Sequence, residues 1–222
     1  MIDKMLTFIA PHHCCGCGLV GNILCDGCKY DIADDEFRTC INCAGGVFVK
    51  NGICHTCKVP YGEAWVVADR RDSLRRLIDV YKFNNARSAY IPLADLLDVR
   101  LPVLPLQTVI VPIPTVRSHI RQRGYDHMLL VARRLARKRN IVMSTCLKRI
   151  SNTTQRGANA RDRILQAQSA FACHEILNPT MTYVLVDDVV TSGATLAAAA
   201  KVLRQAGATD IRVASISRQP LD

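Results

Sequence analysis

The chain has 222 residues, 49% of them hydrophobic, and a formal net charge of +10. That length supports one full-sized domain plus a small one, with apolar content for a sizeable core. No stretch has the length and apolarity of a membrane span, and the first ten residues lack the basic lead and apolar run of a secretory signal. The expected location is therefore the cytoplasm.

The charge is unevenly placed. Residues 1–60 hold 5 Lys/Arg against 6 Asp/Glu, whereas 117–163 alone hold 13 against 2. Such a segment either meets an anionic partner or is a solvated face. The 11 cysteines are uneven too, with nine before residue 58. Eight of these form four Cys-x-x-Cys pairs: Cys14 and Cys17, Cys25 and Cys28, Cys40 and Cys43, Cys54 and Cys57. In a reducing compartment this spacing reads as metal binding rather than disulfides. Two pairs complete a closed tetrahedral site of the structural zinc type, so two zinc ions are expected. Sequential pairing closes the shorter loops and is favoured over an interleaved cross-brace. Cys15 is a bystander, and His12, His13 and His55 are spare donors. A module of this size has too little core to fold alone, so metal binding is expected to supply its folding energy.

Pro60-Tyr-Gly62 reads as a joint, dividing a cysteine-rich part at 1–60 from an α/β part at 61–222. Ala64–Ala68 reads as a strand. From Asp72, apolar residues at Leu74, Leu77, Ile78 and Tyr81 keep the helical period, and the helix ends in Tyr81-Lys82-Phe83. A second helix is expected over about 87–98. Thr108–Pro114 is a buried strand stopped by two prolines, followed by a loop with Arg117, His119, Arg121 and Arg123. A basic helix starts at Asp126, with Arg133, Arg134, Arg137, Lys138 and Arg139 on what reads as a solvated face. A strand over 145–150, a helix over 160–165 and a turn at Leu177–Pro179 follow.

The most informative stretch is Tyr183–Thr195, where an apolar strand runs into Asp187-Asp188, then Val-Val, then Thr191-Ser192-Gly193-Ala194-Thr195. Open α/β sheets place ligands at the carboxyl ends of their strands. The hydroxyl- and glycine-rich turn opens a helix over 195–206, and N–H groups there suit a phosphate monoester. The two carboxylates above it suit a ribose diol. A last strand is expected over 211–216. Strands alternating with helices give a parallel sheet.

The Val186–Thr195 stretch resembles the phosphoribosyl pyrophosphate (PRPP) signature of type I phosphoribosyltransferases. Together with the cysteine pairs, Tyr81-Lys82-Phe83, Val111-Pro-Ile-Pro114, Arg121-x-Arg-Gly-Tyr125 and Arg149…Thr154-Gln155…Arg161…Ala170-Phe171, it resembles the ComF family over nearly the whole chain. The implied fold is a type I phosphoribosyltransferase-like parallel sheet flanked by helices, preceded by a double zinc ribbon. The implied role is natural competence: helping single-stranded DNA into the cytoplasm beside an inner-membrane channel and a helicase. Two positions depart from the family pattern, Asp126 for Asn and His127 for Gln; the acid is expected to weaken any contact with nucleic acid or pyrophosphate there.

Two functional expectations follow. In one, a ribose-phosphate (PRPP-like) pocket of Asp187, Asp188 and Thr191–Thr195 works with a basic surface on single-stranded DNA, with Phe83, Tyr125 and Trp65 as stacking candidates. In the other, the protein is a Mg²⁺-dependent phosphoribosyltransferase, with no acceptor-recognition segment identifiable. Lys82, Arg117, Arg121 and Arg123 would face pyrophosphate in the second case and DNA phosphate in the first.

Overall fold

A computed structural model describes residues 12–35, 37–46, 48–150 and 170–220. The helix expected at 160–165, and Thr154, Gln155 and Arg161 of the family pattern, lie outside them. The elements in chain order are β1 (His12–His13), β2 (Val20–Gly21), α1 (Asp26–Asp34), β3 (Val49–Lys50), β4 (Ile53–Cys54), β5 (Glu63–Asp69), α2 (Asp72–Phe83), a 3-10 turn (Arg87–Ala89), α3 (Tyr90–Arg100), β6 (Thr108–Pro112), α4 (Arg117–Arg123), α5 (His127–Arg139), β7 (Val142–Met143), β8 (Leu147–Arg149), β9 (Phe171–Cys173), β10 (Thr182–Val190), α6 (Ala194–Gln205) and β11 (Asp210–Arg218).

Five strands form one parallel sheet in the order β5-β11-β10-β6-β7. The chain moves from β6 outward to β7, but from β10 the other way to β11. The boundary between β6 and β10 is therefore a switch point, where the connections part and leave a crevice above the carboxyl ends. Both faces of the sheet are covered. One face packs on α2, α3 and α5, with Leu77, Leu93, Leu97, Val131 and Leu135 all fully buried. The other packs on α6 through Leu196, Ala199 and Leu203. Burial on both faces explains the unbroken apolar runs of β6 and β10.

β10 is longer than the sequence suggests. It continues through Asp187 and Asp188 to Val190, because β11 keeps pairing on one side (Val190 with Arg218) after β6 has stopped opposite Val186. β6 stops because Pro112 and Pro114 end the ladder. The two acids thus sit in a strand that is half uncovered, directly over the crevice.

The cysteine-rich part shares the core of the sheet. Ile23, Leu24 and Ile32 belong to one buried cluster with Leu74 and Leu97, and Ile41 belongs to the other with Val66 and Val190. Three arginines reach across to its carbonyls. Arg76 donates to Cys15 and Gly16, Arg100 to Ala33 and Asp35, and Arg218 to Ile41 and Asn42.

The basic face of α5 differs from the solvated surface expected for it. Arg134 makes a two-oxygen contact with Asp95 at 3.0 and 3.1 Å, Lys138 bridges Asp95 and Asp98, and Arg139 pairs with Asp98 at 2.7 Å. Arg139 also donates to the carbonyls of Leu101 and Pro102. Much of this positive charge is spent on holding α5 to α3. Burial opposes the ionisation of Asp98, but Lys138 and Arg139 outweigh it and hold its carboxyl below the usual range. Its contribution to stability is therefore present above its unfolded pKa of 3.8 and is lost as pH falls through the lower folded value. We predict that Asp98→Asn costs about 1–2 kcal/mol near neutral pH and flattens the acid loss of stability; calorimetry across acidic pH checks this, and an unchanged acid limb would contradict it.

Candidate functional site

The crevice at the switch point is a cleft of about 310 Å³. The loop after β6 contributes Ile113, Pro114 and Thr115, β10 contributes Asp187 and Asp188, the end of α2 contributes Lys82 and Phe83, α5 contributes His127, and Arg149 comes from β8. Thr195 closes it from the start of α6.

The two acids have different environments. Burial opposes ionisation of Asp188, but Lys82 and His127 overcome it and hold this carboxyl well below the usual carboxylate range. The Lys82 ammonium lies 2.7 Å from Asp188 Oδ2, and His127 Nε2 bonds the same oxygen. Asp187 is pushed up to about 7, first by burial and then by the charge on Asp188; the Asp188 N–H donated to its Oδ1 at 2.9 Å offsets only part of this. One acid is thus a fixed anion, and the other changes charge near neutral pH.

Contacts behind the acids fix this arrangement. Arg123 Nη1 and Thr115 Oγ1 each lie 3.1 Å from His127 Nδ1, so with Asp188 on Nε2 both ring nitrogens are held in place. Arg123 also donates to the carbonyl of Lys82 at 2.7 Å. The hydroxyl of Tyr125 donates to the Tyr81 carbonyl, and that of Tyr81 to the His127 carbonyl, each at 2.7 Å. The two tyrosine rings stack at 5.6 Å. The Tyr-Lys-Phe and Arg-Gly-Tyr motifs are therefore two halves of one scaffold, turned at Gly124 in the left-handed region (φ 77°).

The expected residues divide as follows. Asp187, Asp188, Thr195, Lys82 and Arg123 come together in the cleft wall. Thr191 and Ser192 are exposed beside it, and Gly193 is buried at the N-cap of α6 with φ 71°. Its N-cap Gly193 has no side chain to cap that helix, and Ser192 Oγ accepts from Ala194 N–H only at 3.5 Å, unlike α5, whose N-terminus is taken by Asp126. Ala197 N–H bonds Gly193 O at 2.9 Å, and the donors before it have no partner within the helix, which is what an anion at a helix N-terminus uses. Arg117 and Arg121 lie exposed on α4, outside the cleft lining. Of the stacking candidates, Phe83 alone is exposed, at 69%, with the Arg123 guanidinium 5.9 Å from its ring centre.

Asp126 does not face the cleft as an unpaired charge. It caps α5 by accepting from Leu129 N–H at 3.2 Å and takes the Thr115 hydroxyl at 2.8 Å. His127, which the sequence marked as a departure, is a direct partner of Asp188. Arg149 also went unassigned in the sequence. Its half-buried guanidinium lies 5.2 Å from the Phe171 ring, lines the cleft, and keeps a buried Nε without a hydrogen-bond partner among the described residues.

The eight paired cysteines gather in sequence order, as the loop lengths favoured. Cys14, Cys17, Cys25 and Cys28 form one group, and Cys40, Cys43, Cys54 and Cys57 the other, with ligand atoms within 4.8 Å of one another. Sulfur separations of 3.6 Å (Cys17 to Cys25) and 3.5 Å (Cys43 to Cys54) approach the spacing set by four zinc–sulfur bonds of about 2.3 Å. The N–H groups of Gly16 and Cys25 point at Cys14, and those of Asn42 and Gly45 at Cys40 and Cys43. Four thiols this close resist ionising together: hydrogen bonding to Cys25 and burial push Cys28 up to about 12. A divalent cation removes that conflict, so both donor sets fit structural zinc. None of the histidines joins either group.

The fold and cleft define a phosphoribosyltransferase-type domain carrying two four-cysteine groups, and the phosphoribosyl transferase domain family matches residues 129–221. Over 93% of its length the chain is 30% identical to competence protein F of Haemophilus influenzae, covering 95% of that protein. It is 29% identical to the DNA utilization protein YhgH of Salmonella typhi, with 88% of the chain and 96% of the relative aligned. The chain belongs to the competence protein F family. No helix among the described residues is long and apolar enough to cross a membrane.

Because the cysteine groups share both cores of the sheet, metal removal should act on the whole molecule. Chelation is expected to lower the melting temperature in a single cooperative transition, followed by calorimetry with metal analysis showing two zinc per chain beforehand. An α/β transition at an unchanged temperature would contradict this.

Proposed function

We propose that this protein binds a ribose 5-phosphate group, free as a PRPP-like ligand or as part of a nucleotide, at the carboxyl end of β10, and that it serves the handling of incoming single-stranded DNA. The observation that carries the reading is the convergence on one cleft of two carboxylates in different charge states, the uncapped N-terminus of α6 and the cations Lys82 and Arg149. In this reading the N–H groups and hydroxyls of 191–195 take the 5′-phosphate. Asp187 and Asp188 accept the ribose hydroxyls. Arg149 supplies a cation for further phosphoryl oxygens, being less engaged than Lys82 or Arg123. A Mg²⁺ ion, where bound, would neutralise phosphate charge beside these acids. Zinc in both cysteine groups is structural.

The DNA part of the reading comes from the names of the two relatives, one referring to competence and the other to DNA utilisation. Arg117 and Arg121 support it as exposed cations on α4, whose last residue Arg123 lies against the exposed ring of Phe83, a candidate stacking surface. Work beside an inner-membrane channel and a helicase belongs to this proposal. The second reading, transfer of the ribose phosphate to an acceptor, is supported by the Asp187 carboxyl poised near pH 7. Pyrophosphate release from PRPP with nucleobases separates transfer from binding.

Two outcomes are expected. By calorimetric titration with Mg²⁺ and ribose 5-phosphate, Asp187→Ala and Asp188→Asn each weaken binding by at least about tenfold. Wild-type binding tightens between about pH 6 and about pH 8 as Asp187 loses its proton, and Asp187→Asn flattens that rise; wild-type affinity in both variants would sink the assignment. For oligothymidine, log affinity falls linearly with log salt, and the Arg117→Ala/Arg121→Ala double variant reduces the magnitude of the slope by about 1.4, about 0.7 for each cation. Binding indifferent to salt would remove the basic surface from the proposal.

A further inference from the structure

The second cysteine group lies against the phosphate loop, and one side chain links them. Arg218, fully buried at the end of β11, donates from Nε to the Ile41 carbonyl at 2.9 Å and from Nη2 to the Asn42 carbonyl at 3.1 Å. Ile41 is itself fully buried beneath the sheet edge. The backbone of Asn42 is therefore fixed from the sheet side. Its N–H points at Cys40 Sγ at 3.4 Å, and its side-chain Nδ2 points at Cys57 Sγ at 3.6 Å. A sulfur acceptor requires the amide nitrogen on that side, which turns Oδ1 the other way. Oδ1 then rests on Gly193: a Cβ added there would come within 2.1 Å of it. Gly193 is the N-cap of α6 and holds φ 71°. Asn42 thus spans the gap between two cysteines of a metal-type group, Cys40 through its backbone N–H and Cys57 through its carboxamide, and the central residue of the Thr-Ser-Gly-Ala-Thr loop.

We propose that Asn42 is a positioning residue for the phosphate loop, so that an intact second cysteine group sets the affinity for ribose phosphate. The affinity part rests on the ribose-phosphate reading above; the positioning part does not. The physical reason is that residues ligating a metal are rigid, and hydrogen bonds from a neighbouring amide to their sulfurs orient that amide. Within the loop the side-chain contact at the helix start is a long one, from Ala194 N–H to Ser192 Oγ at 3.5 Å, so its conformation leans on what packs behind Gly193. Coupling of this kind is reciprocal. Occupancy of the phosphate site slows metal loss from Cys40, Cys43, Cys54 and Cys57, and leaves the first group unaffected.

The test compares the zinc-loaded protein with Asn42→Ala, using hydrogen–deuterium exchange over residues 191–195 without ligand and calorimetric titration with ribose 5-phosphate. Zinc content and melting temperature serve as controls. The expected result is faster exchange confined to that loop and affinity weaker by about fivefold or more, with two zinc per chain retained. Unchanged exchange with zinc retained overturns the inference. If the unmodified protein does not bind ribose 5-phosphate, the pocket reading falls and the exchange result alone decides the role of Asn42. If Asn42→Ala loses metal, Gly193→Ala tests the contact from the other side. Its Cβ must displace Asn42, so one of the two zinc ions should transfer faster to a colorimetric chelator; two release phases identical to wild type would overturn the inference.

Discussion

The buried carboxylate of Asp188 constrains much of the rest. An ionised acid within a protein costs several kcal/mol unless it is well paired. Here Lys82 from the end of α2 and His127 from the start of α5 converge on one of its oxygens. Because these partners come from two helices and the acid from the central strand, the pairing fixes the relative placement of three elements. Arg123, Tyr125 and Tyr81 then brace the two partners through backbone carbonyls. Burial, reinforced by the ionised Asp188, in turn keeps its neighbour Asp187 protonated up to about pH 7. Charge balance at one residue thus shapes the scaffold and leaves a buried titratable group in the wall of the cleft.

The cysteine groups extend this logic. They do not hang from the α/β part as separate beads, because Ile41, Leu24 and Ile32 belong to its cores and three arginines tie their carbonyls to it. Hydrogen bonds from guanidinium to carbonyl satisfy the loop backbone that a short knuckle cannot pair with itself. In this arrangement closure of the cysteine groups and sheet packing support each other, and the loop at 191–195 lies where the two meet.

Local patterns were the most legible part of the sequence. Strand, acids, loop and helix follow one another within a dozen residues, and each cysteine pair sits on a single turn, so spacing alone reveals them. Residues whose meaning depends on distant partners were opaque. His127 reads as a departure from a family pattern until Asp188, 61 residues later, is seen against its ring. The cations of α5 read as solvent-facing because Asp95 and Asp98 lie on another helix. Arg149 sits on a strand that the sequence does suggest, but its place in the cleft depends on β10 and the start of α6, far along the chain. The two-residue strand β7 has too few positions to show a period. Asn42 carries no signal at all, since its role arises from the approach of a knuckle to a glycine some 150 residues away.

The central claim is that the end of β10 and the start of α6 form a ribose 5-phosphate site. Its most direct test is a titration of isotope-labelled protein with ribose 5-phosphate in the presence of Mg²⁺, followed by amide chemical shifts. Saturable changes concentrated at Asp187, Asp188 and residues 191–195 are the predicted result. Shifts confined to the exposed arginines of α4, or no saturable shift at any amide, would contradict it.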